Sequence, residues 1–104
     1  MKLHIDPAAE EEARHAAQWY EERRRGLGLE FVAAVDAGLQ RIRHNPLAFA
    51  RLETLPEETN VRRFLLRQFP YAIIYEFLAK EIRILAIAHV RRRPQYWKER
   101  RKRG

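Results

Sequence analysis

The run Ile82-Arg83-Ile84-Leu85-Ala86-Ile87-Ala88 constrains this chain more than any other stretch. Alternation fails in it. Apolar side chains fall on both faces of any strand it forms, so both faces need cover and the strand belongs at the centre of its sheet. Two β-rich segments precede it. In Val61 to Gln68, Phe64 and Leu66 oppose Arg63, Leu65 and Arg67, and Tyr71 to Phe77 is rich in β-branched and aromatic residues. The turns at Phe69-Pro70 and Leu78 to Glu81 are short, which predicts an antiparallel meander of three strands.

The first half supplies the cover. Lys2 to Ile5 reads as a short strand, and Asp6-Pro7 supplies an N-cap and a first-turn proline. Glu10, Glu11 and Glu12 then complement the helix dipole, while Ala9, Ala13, Ala16, Ala17 and Tyr20 recur at helical spacing. Arg23, Arg24 and Arg25 load the helix C-terminus, and Gly26 and Gly28 end it. A second helix runs from about Leu29 to His44 with Phe31, Val35, Leu39 and Ile42 as its buried stripe, and Asn45-Pro46 stops it. Residues 46–59 read as an irregular connection pinned by Leu47, Phe49 and Leu52.

The expected fold class is therefore α+β in the order β-α-α-β-β-β. An N-terminal strand and a helical hairpin pack on one face of a small, mostly antiparallel sheet. The opposite face is left more open. A short C-terminal helix or tail follows Pro94, and residues 98–104 are expected to fray as a basic tail. The length of 104 residues suits a single domain over 1–104.

Charge divides the chain. Residues 1–60 carry 8 Lys/Arg against 11 Asp/Glu, a net of −3, whereas residues 61–104 carry 13 against 3, a net of +10. A basic half of this strength points to nucleic acid, a ribonucleoprotein or an acidic protein segment as partner. No run approaches the ~20 apolar residues that span a bilayer, and the N-terminus lacks the apolar segment of an export signal, so no membrane is expected and the cytoplasm is the expected compartment. There is no cysteine, and His4, His15 and His44 show no metal-ligand spacing, so no metal is expected. With no glycine-rich phosphate loop either, the expectation is no cofactor.

His89-Val90-Arg91-Arg92-Arg93-Pro94-Gln95-Tyr96-Trp97 leaves the central strand where a rigid scaffold hands over to a loop. Arginine suits phosphate because its planar fork donates paired hydrogen bonds and stays charged. Histidine takes up and releases a proton near neutrality. Arg67, His89, Arg92 and Tyr96 are therefore the candidate set for metal-free RNA cleavage: a base for the 2′-hydroxyl, arginines for the developing charge, an acid for the leaving oxygen. The plainer reading makes His89 a structural hydrogen-bonder and Pro94, Tyr96 and Trp97 anchors of the tail. On the helical hairpin, Trp19 beside Tyr20 is either core or a protein-binding anchor.

An ordered set of residues resembles the RelE/ParE toxin superfamily, and its ParE-like branch in particular. It comprises Asp6-Pro7, Ala13, Trp19-Tyr20-Glu21, Gly26-Leu27-Gly28, Phe31, Asn45-Pro46, Arg63, Phe69-Pro70-Tyr71, Ile74-Tyr75 and Ala88 through Trp97. The resemblance implies the toxin of a type II toxin–antitoxin pair, of the kind linked to plasmid stabilisation, with a ParD/RelB-like antitoxin as cognate partner. A ParE-like toxin would poison DNA gyrase; a RelE-like one would cut mRNA on the ribosome; an inactive relic would bind an antitoxin and harm nothing. The resemblance makes Arg63, Arg67, Arg91, Arg92 and Arg93 the expected target-binding surface and Trp19, Arg23 and Arg67 the candidates for antitoxin binding. Lysines are few (Lys2, Lys80, Lys98 and Lys102), unlike the lysine-rich RelE surface.

Overall fold

A computed structural model describes residues 2–56 and 58–103, with the Arg103 side chain outside the description. The chain forms β1 (Lys2–Ile5), α1 (Pro7–Arg23), α2 (Leu27–His44), β2 (Val61–Leu65), β3 (Tyr71–Leu78), β4 (Glu81–His89) and a C-terminal 3-10 helix (Lys98–Arg103). The sheet order is β1-β4-β3-β2, with β2, β3 and β4 antiparallel and β1 parallel to β4. The α+β class and the central place of the apolar run are as the sequence predicts. No helix among the described residues is long and apolar enough to cross a membrane.

Local chemistry sets the helix ends. Asp6 Oδ1 accepts from Ala8 N at 2.8 Å, capping α1, with Pro7 in its first turn. The hairpin turns at Gly26, whose φ of +89° is a glycine conformation. The Glu21 carboxylate then accepts from Gly26 N and Gly28 N at 3.0–3.1 Å, so the last turn of α1 caps the first turn of α2. That cap explains why α2 begins at Leu27, two residues before the sequence expectation.

The helices cover one sheet face. Phe31, Val35 and Ile42 of α2 and Ala9 and Ala16 of α1 meet Phe64, Ile73, Tyr75, Ile82, Ile84 and Ile87. On the other face Val61, Ala72, Ile74, Leu85, Ala86 and Ala88 gather around Trp97, with Leu52 and Leu55 at the margin. A bulge makes the two-faced burial of β4 possible. Ile74 pairs with Ala86 but Tyr75 pairs with Ile84, leaving Leu85 as the extra residue, so Leu85 and Ala86 both serve the second face.

Three expectations differ from the structure. The second face is not simply open, because the 46–59 connection and the C-terminal segment cover part of it. Residues 98–103, expected to fray, form a 3-10 helix in which Arg100 pairs with Glu12 at 2.9 Å and Arg101 with Glu76 at 2.9 Å; Gly104 lies outside the described residues. Glu76 is 5% exposed, so the tail neutralises a carboxylate that would otherwise be buried alone. Leu47 is 54% exposed and pins nothing. Polar bonds hold its neighbourhood instead: Tyr75 Oη donates to Pro46 O at 2.6 Å, and Arg62 Nη1 donates to Phe49 O at 2.7 Å. Residues around Arg51 lie along β2, with Leu52 N donating to Val61 O and Arg63 N to Ala50 O.

Candidate functional site

β1 pairs with β4 only as far as Ile84, which leaves the rest of that edge without a strand. Side chains close it. Arg100 Nη1 donates to Leu85 O at 2.9 Å, and Ile87 N donates to Glu12 Oε1 at 3.0 Å. The Glu12 carboxylate also accepts from both Arg100 amino groups (2.9 and 3.0 Å) and from Tyr96 Oη (2.5 Å). Its sequence neighbours Glu10 and Glu11 suggested only a dipole role for Glu12. Its ligands lie 84 and 88 residues away, and no local signal marks them.

This node fixes the C-terminal segment, and the segment forms one wall of a cleft of about 460 Å³ on the second sheet face. His89, Arg92 and Arg93 lie on that wall, and Arg51, Glu53, Thr54 and Arg63 lie on the other side. The floor is small: Ala72, Ile74 and Ala88. Register explains the floor, since Arg63 stands opposite Ile74 and Leu65 opposite Ala72, which in turn faces Ala88. Gln95 Nε2 donates to Thr54 Oγ1 at 2.8 Å and joins the two walls. Gln95 adopts a positive φ of 59°, uncommon for a residue with a Cβ.

The predicted site residues divide. His89, Arg92 and Tyr96 come together, with the Arg92 guanidinium 3.9 Å from the centre of the Tyr96 ring and 3.9 Å from Glu12. Each is already engaged. Tyr96 spends its hydroxyl on Glu12, and burial, together with that hydrogen bond, pushes its phenol well above the usual range. His89 Nδ1 accepts from Arg91 N at 3.0 Å while its ring meets Tyr71 edge-on. Arg67 lies beyond the end of β2, at the same end of the sheet as His89 but outside the cleft lining. By contrast, the Arg63, Arg67, Arg91 and Arg93 side chains form no hydrogen bond or ion pair among the described residues.

On the hairpin, Trp19 is 50% exposed and the Arg23 guanidinium lies 3.7 Å from the centre of its ring. Tyr20 instead joins the core, stacked on Phe31 and edge-on to Phe69. A second cleft of about 310 Å³, lined by Ala13, Ala17, Val32 and Leu39 among others, runs between α1 and α2. Sequence patterning placed Ala13, Ala17 and Leu39 on the core-facing stripes but did not mark Val32, which is 41% exposed. No group of three or more His, Asp or Glu suited to a metal occurs among the described residues.

Comparison with known proteins agrees with this architecture. A solved structure of the chromosomal ParDE toxin–antitoxin system from P. aeruginosa superposes with a TM-score of 0.62 at 19% identity, covering 86% of this chain and 95% of that one. No curated protein sequence matches. The family model for the ParE toxin of the type II toxin–antitoxin system parDE matches residues 3–94, which include β1 to β4 and the segment up to Pro94. The chain belongs to the ParE toxin family.

Proposed function

We propose that the chain arrests growth by binding DNA gyrase and stalling it on DNA, and that a ParD-like antitoxin neutralises it in the cytoplasm. Family membership supports the toxin role. The observation that carries the choice of target is the engagement of Tyr96: its hydroxyl donates to Glu12 and its ring is covered by Arg92, so the RNA-cleaving set has no free acid. What remains free is cationic surface without a proton-transfer pair, which suits holding a target rather than cutting one. The antitoxin would lay an amphipathic segment along the cleft between α1 and α2 and continue round α1 to Trp19 and Arg23, where Trp19 lines a further cleft with His89 and Arg92. Acidic residues in that segment would meet Arg23, and Arg67 where the segment reaches the sheet end.

Expression without antitoxin, followed by parallel measurement of gyrase activity and mRNA integrity, tests the reading. Lost supercoiling with accumulated gyrase–DNA cleavage complexes, and intact mRNA, is the expected result. Unaffected gyrase, or mRNA cut in a translating extract, overturns it.

A further inference from the structure

We propose that the cleft between residues 50–54 and 89–97 seats the phosphate backbone of duplex DNA, so that the toxin touches the DNA directly and not only the enzyme that holds it. The inference rests on the gyrase reading for its biological setting, but its chemistry stands on the cleft. Arg63 and Arg93 face the cleft from opposite walls and have no partner among the described residues. Arg51 adds a third cation, its side chain held among the described residues only by a 3.5 Å bond to Pro56 O. Glu53 is the sole carboxylate in the lining among the described residues. Guanidinium groups held apart on a rigid frame match successive phosphates of a backbone.

The remaining lining distinguishes duplex DNA from other anions. Single-stranded nucleic acid is gripped by aromatic faces on which bases stack. Here none is free: Arg92 lies over Tyr96, Trp97 is 3% exposed, and the His89 ring meets Tyr71. An acidic peptide needs apolar pockets to anchor its side chains. The floor side chains Ala72, Ile74 and Ala88 are only 4–7% exposed, and a second apolar cleft lies between the helices. Gln95 and Thr54 hold the walls together, so the cations keep their spacing before any ligand arrives.

Fluorescence anisotropy of a labelled DNA duplex with the full-length toxin, without gyrase, tests this. Three phosphate contacts predict a log–log salt slope of about −2.7, a weakening of roughly 40-fold between 50 and 200 mM salt. Arg63→Gln and Arg93→Gln should each flatten the slope by about 0.9. Arg24→Gln, on the helical hairpin where Arg24 pairs with Glu30, should leave it unchanged. Absence of duplex binding at low salt overturns the proposal, as does tighter binding of single strands or of duplex RNA. Displacement by a polyglutamate peptide at equal charge concentration also overturns it and assigns the cleft to protein. Failure here with gyrase still poisoned leaves the target reading standing; DNA binding with gyrase untouched does the reverse.

Discussion

At the scale of single residues, Glu12 organises more of the molecule than any other polar side chain described above. Its carboxylate satisfies a strand N–H, a phenol and a guanidinium at a site where Glu12 and Arg100 are each 15% exposed. Glu12→Ala leaves the strand N–H and the phenol without that partner and the guanidinium with Leu85 O in place of a counter-charge, and breaking such a pair on one side costs about 3 kcal/mol or more. Urea unfolding should show this, and a loss below about 1 kcal/mol would remove the central role given to Glu12. Tyr75 offers a pH test. Burial pushes its phenol up to about 12, with Arg62 pulling slightly the other way. The folded state thus keeps a proton that the unfolded chain gives up near pH 10. Stability from this group is complete below about pH 10 and falls above it, by about 1.4 kcal/mol per pH unit until the folded phenol titrates. Between pH 10 and 12, the unfolding midpoint of Tyr75→Phe should fall less steeply than that of the parent. Parallel profiles would show that the Tyr75 hydroxyl does not drive this alkaline loss.

At the scale of elements, the hairpin depends on a close approach that propensity alone would oppose. A Cβ on Gly28 would lie 2.6 Å from Ala17 O, a backbone atom that cannot step aside. Helix propensity predicts that Gly28→Ala stabilises α2 by about 1 kcal/mol. The contact predicts the opposite, a loss of about 1–3 kcal/mol as α1 and α2 are forced apart, and the sign of the change in melting temperature decides. The C-terminal 3-10 helix makes a second case. Ending the chain after Trp97 removes Arg100 and Arg101 and strands Glu12 and Glu76, so a melting temperature lower by roughly 10 °C or more is expected. An unchanged melting temperature would return these residues to the status of a loose tail. The sequence reveals these elements unevenly. Alternation, its failure in β4, and the Asp6-Pro7 and Asn45-Pro46 signals are local, and they yield the strands and helices nearly to the residue. The Glu21 cap, the Leu85 bulge and the docking of Arg100 and Arg101 depend on partners that only the folded chain brings near. Trp97 was legible as an anchor because a large indole after a proline has few other uses, whereas Leu47 looked like one and lies in solvent.

At the scale of the whole molecule, the charge division in the sequence becomes a division of surfaces. The apolar cleft belongs to the helical layer and the free arginines to one end of the sheet and its second face, while Trp19 on α1 lines a further cleft with His89 and Arg92. The two surfaces should be separable by mutation. Arg63→Glu with Arg93→Glu is expected to abolish growth arrest while antitoxin co-purification persists. Trp19→Ala is expected to keep toxicity and weaken neutralisation, since an exposed aromatic anchor contributes on the order of 2 kcal/mol at an interface. If both variants fail in the same assay, one shared surface serves both partners. The legible part of the site was its composition. Arg63, Arg92 and Arg93, which line the cleft, could be picked from the sequence, but Arg92's tie to Tyr96 and the wall contributed by Arg51 could not, because each depends on a loop laid across the sheet.

The side-chain plug on β4 also sets an order in time. The residues that seal the open edge and cover the second face follow β4 in the sequence, so during synthesis they emerge after the strand they cover, while Glu12 and the helical hairpin emerge early. Before they emerge, Leu85 O lacks Arg100, and Glu12 can meet Ile87 N without the phenol and the guanidinium that later hold its carboxylate. A partner that docks on the helices can therefore meet the toxin before its second face is covered, and the docking of Tyr96 and Arg100 is a late step of assembly.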